Sequence, residues 1–286
     1  MYSVKSADGT PIGYTKAGQG PGLIIVGGAM GTAANYSELA EALSDQFTVY
    51  VPERRGRGMS PRPYVPLHRI TTEIEDLRAL VDESHARLLF GLSSGAVIAL
   101  TATAAIPSID KAVIYEPPFF FKSDIDRARI ARFKDEVARK DYLGAMTTAG
   151  ELVKLAPPPV QLLPRFLRRP LTKLVMRMLE GGPPYAPLSE LIPAMRFDFD
   201  VVAEMSQQGP SFRSLDKEIL LLGGTRIPRY LKDALEGLAR TLPNARRVTL
   251  PGLDHAAPWN TDRGGKPQVV AEAMRSFYSA PPTTRR

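Results

Sequence analysis

The apolar and polar positions divide this chain into short strands and longer helices that take turns. Leu23-Ile24-Ile25-Val26 is an unbroken apolar run, the pattern of a strand covered on both faces. Phe47-Thr48-Val49-Tyr50-Val51, Leu88-Leu89-Phe90, Lys111-Ala112-Val113-Ile114-Tyr115, Ile219-Leu220-Leu221-Leu222 and Arg247-Val248-Thr249-Leu250 read as the further strands. Between them the apolar residues fall three and four apart, as on one face of a helix: Tyr36, Leu39, Ala40 and Leu43; Ile70, Ile74, Leu77 and Leu80; Leu231, Ala234, Leu235 and Leu238; Val270, Ala273, Met274 and Phe277. Strands alternating with helices predict an α/β fold, a mostly parallel central sheet with helices on both faces. Residues 2–16 instead read as a hairpin around Ala7-Asp8-Gly9-Thr10.

One long segment breaks the alternation. From 119 to 209 there is no strand pattern, and helical stripes such as Ile125, Ala128, Phe133, Val137 and Leu171, Leu174, Val175, Met178 dominate. Prolines at 157–159, 164, 170, 183, 184 and 187 predict that it is cut into short helices. The organisation expected is a core of residues 1–118 and 210–286, with 119–209 inserted as a helical cap.

Composition narrows the class. The 44% apolar content over 286 residues belongs to a globular domain of this size. No apolar run is long enough to span a membrane, and the first residues read as a strand and not as a signal segment, which favours the cytoplasm. Without cysteine there is no disulfide, no thiolate nucleophile and no Cys-ligated metal. A net charge of +7 with no basic run interleaved with aromatics does not describe a nucleic-acid binder.

The candidate chemistry centres on Gly91-Leu92-Ser93-Ser94-Gly95. It follows an apolar run and leads into Ala96, Ala99 and Ala102, a helix opening on small residues. G-x-S-x-G between strand and helix is a strained elbow that exposes the serine hydroxyl at the sheet edge. A serine needs a base to take its proton. Of the three histidines, His68 and His85 flank a helix and read as solvated. His255 follows the last strand on a Gly-containing loop, at the sheet edge where strand C-termini gather.

Taken together, Gly27-Gly28-Ala29-Met30, Arg55-Gly56-Arg57-Gly58-Met59-Ser60, the elbow and Gly252-Leu253-Asp254-His255 resemble the alpha/beta-hydrolase superfamily in order and spacing, over essentially the whole chain. The resemblance implies Ser93 as nucleophile, His255 as general base, and the backbone N–H groups of Ala29 and Ser94 as oxyanion hole, with Met30 facing the substrate. That family most often places an Asp just past the strand that here ends Gly223-Gly224, but this chain continues Thr225-Arg226-Ile227-Pro228. Glu116, ending the preceding strand, is the first candidate for the acid, as in the similar haloalkane dehalogenases. Asp198, at the junction of cap and core, is the alternative.

The reading this supports is a serine hydrolase of an ester, thioester or lactone with an apolar acyl part. The aromatic run Phe119-Phe120-Phe121 places Phe119 beside the substrate, and no metal or organic cofactor is implied. Arg165, Arg168, Arg169, Lys173 and Arg177 form either a solvated face or a dock for an anionic acyl carrier. Two rival classes share the fold: a non-hydrolytic enzyme, such as a cofactor-free oxygenase, lyase or biosynthetic cyclase, and a ligand-binding protein without turnover.

Overall fold

The computed structural model describes residues 2–60, 68–122, 124–154 and 158–281. Pro157 and most of the C-terminal tail, which the sequence suggests is frayed, lie outside the described residues. The strands are β1 (Tyr2–Lys5), β2 (Pro11–Ala17), β3 (Gly22–Val26), β4 (Thr48–Pro52), β5 (Leu88–Leu92), β6 (Lys111–Tyr115), β7 (Glu218–Gly224) and β8 (Ala245–Leu250). They form one sheet in the order β1-β2-β4-β3-β5-β6-β7-β8. The β1–β2 and β2–β4 pairs are antiparallel, and every pair from β4 to β8 is parallel.

The helices are α1 (Ser37–Leu43), α2 (Ile70–Ser84), α3 (Ser94–Ala105), α4 (Arg127–Ala138), α5 (Tyr142–Val153), α6 (Pro158–Leu162), α7 (Arg165–Leu179), α8 (Leu188–Met205), α9 (Arg229–Thr241) and α10 (Pro267–Tyr278). Successive strand residues point to opposite faces, so each central strand feeds two cores. Ile24, Leu89, Ile114 and Leu221 pack with Leu77 and Leu80 of α2, the alanines of α3 and Leu231 and Leu238 of α9. Ile25, Phe90, Val113 and Leu222 pack on the other face with Leu39 and Leu43 of α1 and Val270 and Met274 of α10. This is why the central strands read as continuous apolar runs: neither face meets water, whereas the edge strands β1 and β8 are largely exposed.

Helices α4 to α8 lie between β6 and β7 and have a third core of their own, around Phe133, Ala145, Ile192 and Phe199. Prolines divide this insertion less than their number suggests. α7 runs through Pro170 and α8 through Pro193. Each proline is the sixth residue of its helix, so the lost N–H would have bonded a carbonyl in the first turns, and the rest of the ladder is unaffected.

Candidate active site

Strand register brings the site together. Leu92 of β5 lies beside Tyr115 of β6, and Tyr115 beside Leu222 of β7. The residues that follow, Ser93 and Glu116, therefore leave the sheet side by side at its C-terminal edge. The Ser93 N–H donates to Tyr115 O at 2.9 Å, and the Glu116 N–H to Leu222 O at 3.1 Å. Ser93 has φ 56° and ψ −121°, and Glu116 has φ 49°. Left-handed backbone at a side-chain-bearing residue costs about 1–3 kcal/mol and persists only where its surroundings enforce it. Here the enforcement is steric. A Cβ at Gly95 would run into the carbonyl oxygens of Val26 and Gly27, and one at Gly91 into Gly95 O. Helix and strand thus meet backbone to backbone, and the turn between them must be sharp.

The Glu116 carboxylate is fully buried and used at both ends. Oε1 accepts from the Gly224 N–H at 2.8 Å, and Oε2 lies 2.6 Å from His255 Nδ1. A carboxylate can only accept, so Nδ1 carries the proton and Nε2 presents its lone pair. The His255 loop is anchored from below, where Tyr115 Oη donates to Asp254 O at 2.9 Å. Burial pushes the Tyr115 phenol far up, with the Glu116 charge adding to the shift, so it remains a donor.

Ser93, His255, Ala29 and Met30 all line one cavity of about 800 Å³ under the insertion, with Leu191, Met195 and Val175 among its apolar walls. Trp259 lines it too, and its Nε1 donates to Tyr36 Oη, which also accepts from the Gly28 N–H. This phenol ties the glycine loop after β3 to the loop that carries His255.

Behind the glycine loop is a buried ionic cluster. Asp198 of α8 is fully buried and ion-paired to Arg54 and Arg57, and its Oδ1 accepts from Ser94 Oγ at 2.6 Å. Arg54 also pairs with Glu73, which lies 2.8 Å from His68 Nε2. Burial alone would raise the Asp198 carboxyl, but Arg57 and Arg54 more than offset it and hold the group below its ordinary range. Glu73 is held well below its ordinary range in the same way, burial being outweighed by Arg54 and His68. Arg57 Nη1 donates to Gly28 O at 3.0 Å. Because the peptide unit is planar and trans, the N–H of Ala29 points away from this cluster.

Several expectations are corrected here. Asp198 does not contact His255; both of its oxygens are taken by Arg54, Arg57 and Ser94. Phe119 is not a cavity wall, because its ring is buried edge-on against Phe212, 5.8 Å between centroids. His68 is not solvated but buried against Glu73. The basic residues of α7 are not a wholly solvated face: Arg165 pairs with Glu136 and Glu151, Arg168 with Glu151 and Arg169 with Asp141. The ionic cluster itself was missed in the sequence. Its only trace is the density of arginine in Arg54-Arg55-Gly56-Arg57, whose acidic partners lie 19 to 144 residues away and leave no local pattern.

With the site in view, the known proteins that this chain resembles can be set beside it. A model of the Alpha/beta hydrolase family matches residues 23–273. The chain belongs to that family. Proteins similar to it include a 2-(acetamidomethylene)succinate hydrolase of Mesorhizobium japonicum, 24% identical over 92% of this chain and 90% of that protein. A pimeloyl-[acyl-carrier protein] methyl ester esterase of Stenotrophomonas maltophilia is 24% identical over 92% and 95%. Among solved structures, an alpha/beta hydrolase from Sphaerobacter thermophilus superposes with a TM-score of 0.79 at 28% identity, covering 97% of this chain and all of that one. These relatives support hydrolase activity. Among the described residues, no helix is long and apolar enough to cross a membrane.

Proposed function

We propose that this alpha/beta hydrolase is a serine hydrolase that cleaves an ester, thioester or lactone with an apolar acyl part. The observation that carries the reading is the 2.6 Å contact of Glu116 with His255 Nδ1, at the cavity that Ser93 enters from its elbow. In this reading His255 Nε2 takes the proton of Ser93 as Oγ attacks the acyl carbon, and Glu116 stabilises the imidazolium that forms. The tetrahedral oxyanion is held by the N–H groups of Ala29 and Ser94, the latter at the N-terminus of α3, where the helix dipole adds to the stabilisation. The proton passes to the leaving alcohol or thiol, and an acyl group remains on Ser93. His255 then activates water to release the acid and restore the serine.

The carboxylate beside His255 supplies the acid that the turn after β7 lacks, which supports the hydrolytic reading over the non-hydrolytic classes. The cavity's Leu, Met and Val walls favour an apolar acyl part, while Arg226 and Arg263 among its lining suit a polar or anionic group at one end. A small-molecule substrate is preferred to a carrier-borne acyl group, because Arg165, Arg168 and Arg169 are already engaged by acids of the insertion. The helices α4 to α8 act as the cap that shelters the acyl-enzyme.

The test is a fluorophosphonate probe with mass mapping of the adduct, together with turnover of short p-nitrophenyl esters. Labelling is expected at Ser93, and Ser93→Ala is expected to lose at least about a thousandfold in rate with its fold intact. A wild type that refuses the probe, or a variant that turns over normally, removes the acyl-enzyme mechanism.

A further inference from the structure

Helix α7 forms part of the cavity wall, yet none of its residues is buried. Its side chains separate by angle. Arg168, Thr172, Val175 and Leu179, spaced by three and four, line the cavity. Leu167, Leu171, Leu174 and Met178 occupy the next stripe and stand in solvent, with Met178 73% and Leu174 56% exposed. Phe166, on the Lys173 side of the helix, is also exposed at 71%, and Leu162, from the end of α6, at 85%. Leu171 and Val175 belong to both sets, being exposed and lining the cavity, so an apolar surface runs over its lip without a break. Lys173 and Arg177 edge the stripe, one turn apart. Both are exposed, and neither has an acidic partner among the described residues.

Scattered apolar residues on a surface need no explanation, but six on one short helix do. We propose that α7 docks on an anionic lipid surface, laying Leu167, Leu171, Leu174 and Met178 into the acyl boundary while Lys173 and Arg177 meet acidic headgroups. An apolar face beside a basic edge is the composition of an interfacial helix. The shape of the stripe favours lipid over a protein occupant. Its side chains protrude, 41 to 73% exposed, and a protein would have to offer a fitted hole to each, whereas hydrocarbon deforms around them. A second copy of this chain is disfavoured by charge. Two-fold pairing of this face would gather four unneutralised cations at one small contact. The docking stands apart from the hydrolase reading; only its use, delivering lipophilic substrate over the lip at Leu171 and Val175, rests on that reading.

The test is cosedimentation of the full chain with vesicles of phosphatidylcholine alone and of phosphatidylcholine with an equal part of phosphatidylglycerol, repeated with the Ser93→Ala protein. Wild type and Ser93→Ala are expected to bind the mixed vesicles equally and the neutral ones far more weakly. Changing Lys173→Ser and Arg177→Ser together should weaken binding to the mixed vesicles about tenfold to thirtyfold. Changing Leu174→Ser and Met178→Ser together should abolish it. Neither pair lines the cavity, so hydrolysis of a short water-soluble ester should be unchanged in both variants. Failure to sediment with the mixed vesicles, or binding indifferent to both pairs of changes, overturns the proposal. So does a dimer in light scattering that Leu174→Ser and Met178→Ser dissolve, which makes a second copy the occupant. An acyl carrier protein complex that Lys173→Ser and Arg177→Ser break, with no vesicle binding, does the same in favour of the carrier.

Discussion

Glu116 holds two backbone-level positions at once. One oxygen is fixed by the Gly224 N–H and the other faces the imidazole, so the carboxylate cannot rotate without breaking one of the two. Glu116→Gln keeps the size of the group but replaces one acceptor oxygen by an amide that donates, and it no longer compels the proton to sit on Nδ1. On the proposed mechanism the expected cost is about ten-thousandfold in kcat with KM little changed, measured by steady-state hydrolysis of p-nitrophenyl esters. The same assay separates the two acidic candidates. Asp198→Asn should lower activity through a loosened glycine loop, far less than Glu116→Gln does; the opposite ranking would return the acid role to Asp198. Ser93 and His255 were legible at this scale because each sits inside a local motif. Glu116 was legible only as the carboxylate ending the right strand, and nothing in the sequence set it above Asp198 beyond its place next to the elbow strand.

At the scale of the element, the central strands were the most legible part of the chain, since both of their faces are buried and their apolar runs are continuous. The elbow between β5 and α3 adds a constraint that is steric and therefore easy to test. Gly95→Ala places a methyl group against the carbonyls of Val26 and Gly27, and only separating α3 from β3 can make room. Such overpacking against backbone is expected to cost about 1–3 kcal/mol or more and to displace Ser93 with it. A lowered urea midpoint together with lost fluorophosphonate labelling is the expected result, and a variant as stable and reactive as wild type would mean the contact is not tight. Helix length in the insertion was the least legible element. Pro170 and Pro193 suggest breaks, but one missing hydrogen bond near the start of a helix is offset by packing that the local sequence does not encode. Phe119 was misread for a related reason: an aromatic next to a site looks like a substrate wall until its partner Phe212, distant in sequence, is known.

Across the whole molecule, the buried cluster of Arg54, Arg57, Glu73 and Asp198 joins three regions: the turn after β4, helix α2 and the last helix of the insertion. Removing one partner leaves uncompensated buried charge, which typically costs about 3–5 kcal/mol. Asp198→Asn should therefore lower the urea midpoint of the entire protein. Both carboxylates are depressed below their ordinary values of 3.8 and 4.5 in the folded state. A depressed acid contributes stability that is present above its ordinary pKa and is lost as pH falls toward its folded value. The wild type is thus expected to lose stability progressively below about pH 4.5, and Asp198→Asn, already lacking one such group, should show a shallower acid limb in urea midpoints measured against pH. Parallel acid limbs would show that Asp198 does not carry that dependence.

The tether from Glu116 to Gly224 also bears on how such a protein can diversify. On the proposed mechanism the imidazole's carboxylate comes from β6, so the turn Thr225-Arg226-Ile227-Pro228 supplies no group to proton transfer; it holds the His255 loop through the Arg226 N–H, which donates to Leu253 O, and through Thr225 Oγ1, which accepts from the Gly252 N–H. Arg226 meanwhile borders the cavity. A position where the resembling family most often carries an acid is, on this reading, released from that duty. Selection can exchange it freely, and with it the charge presented to whatever enters, while the base keeps its partner.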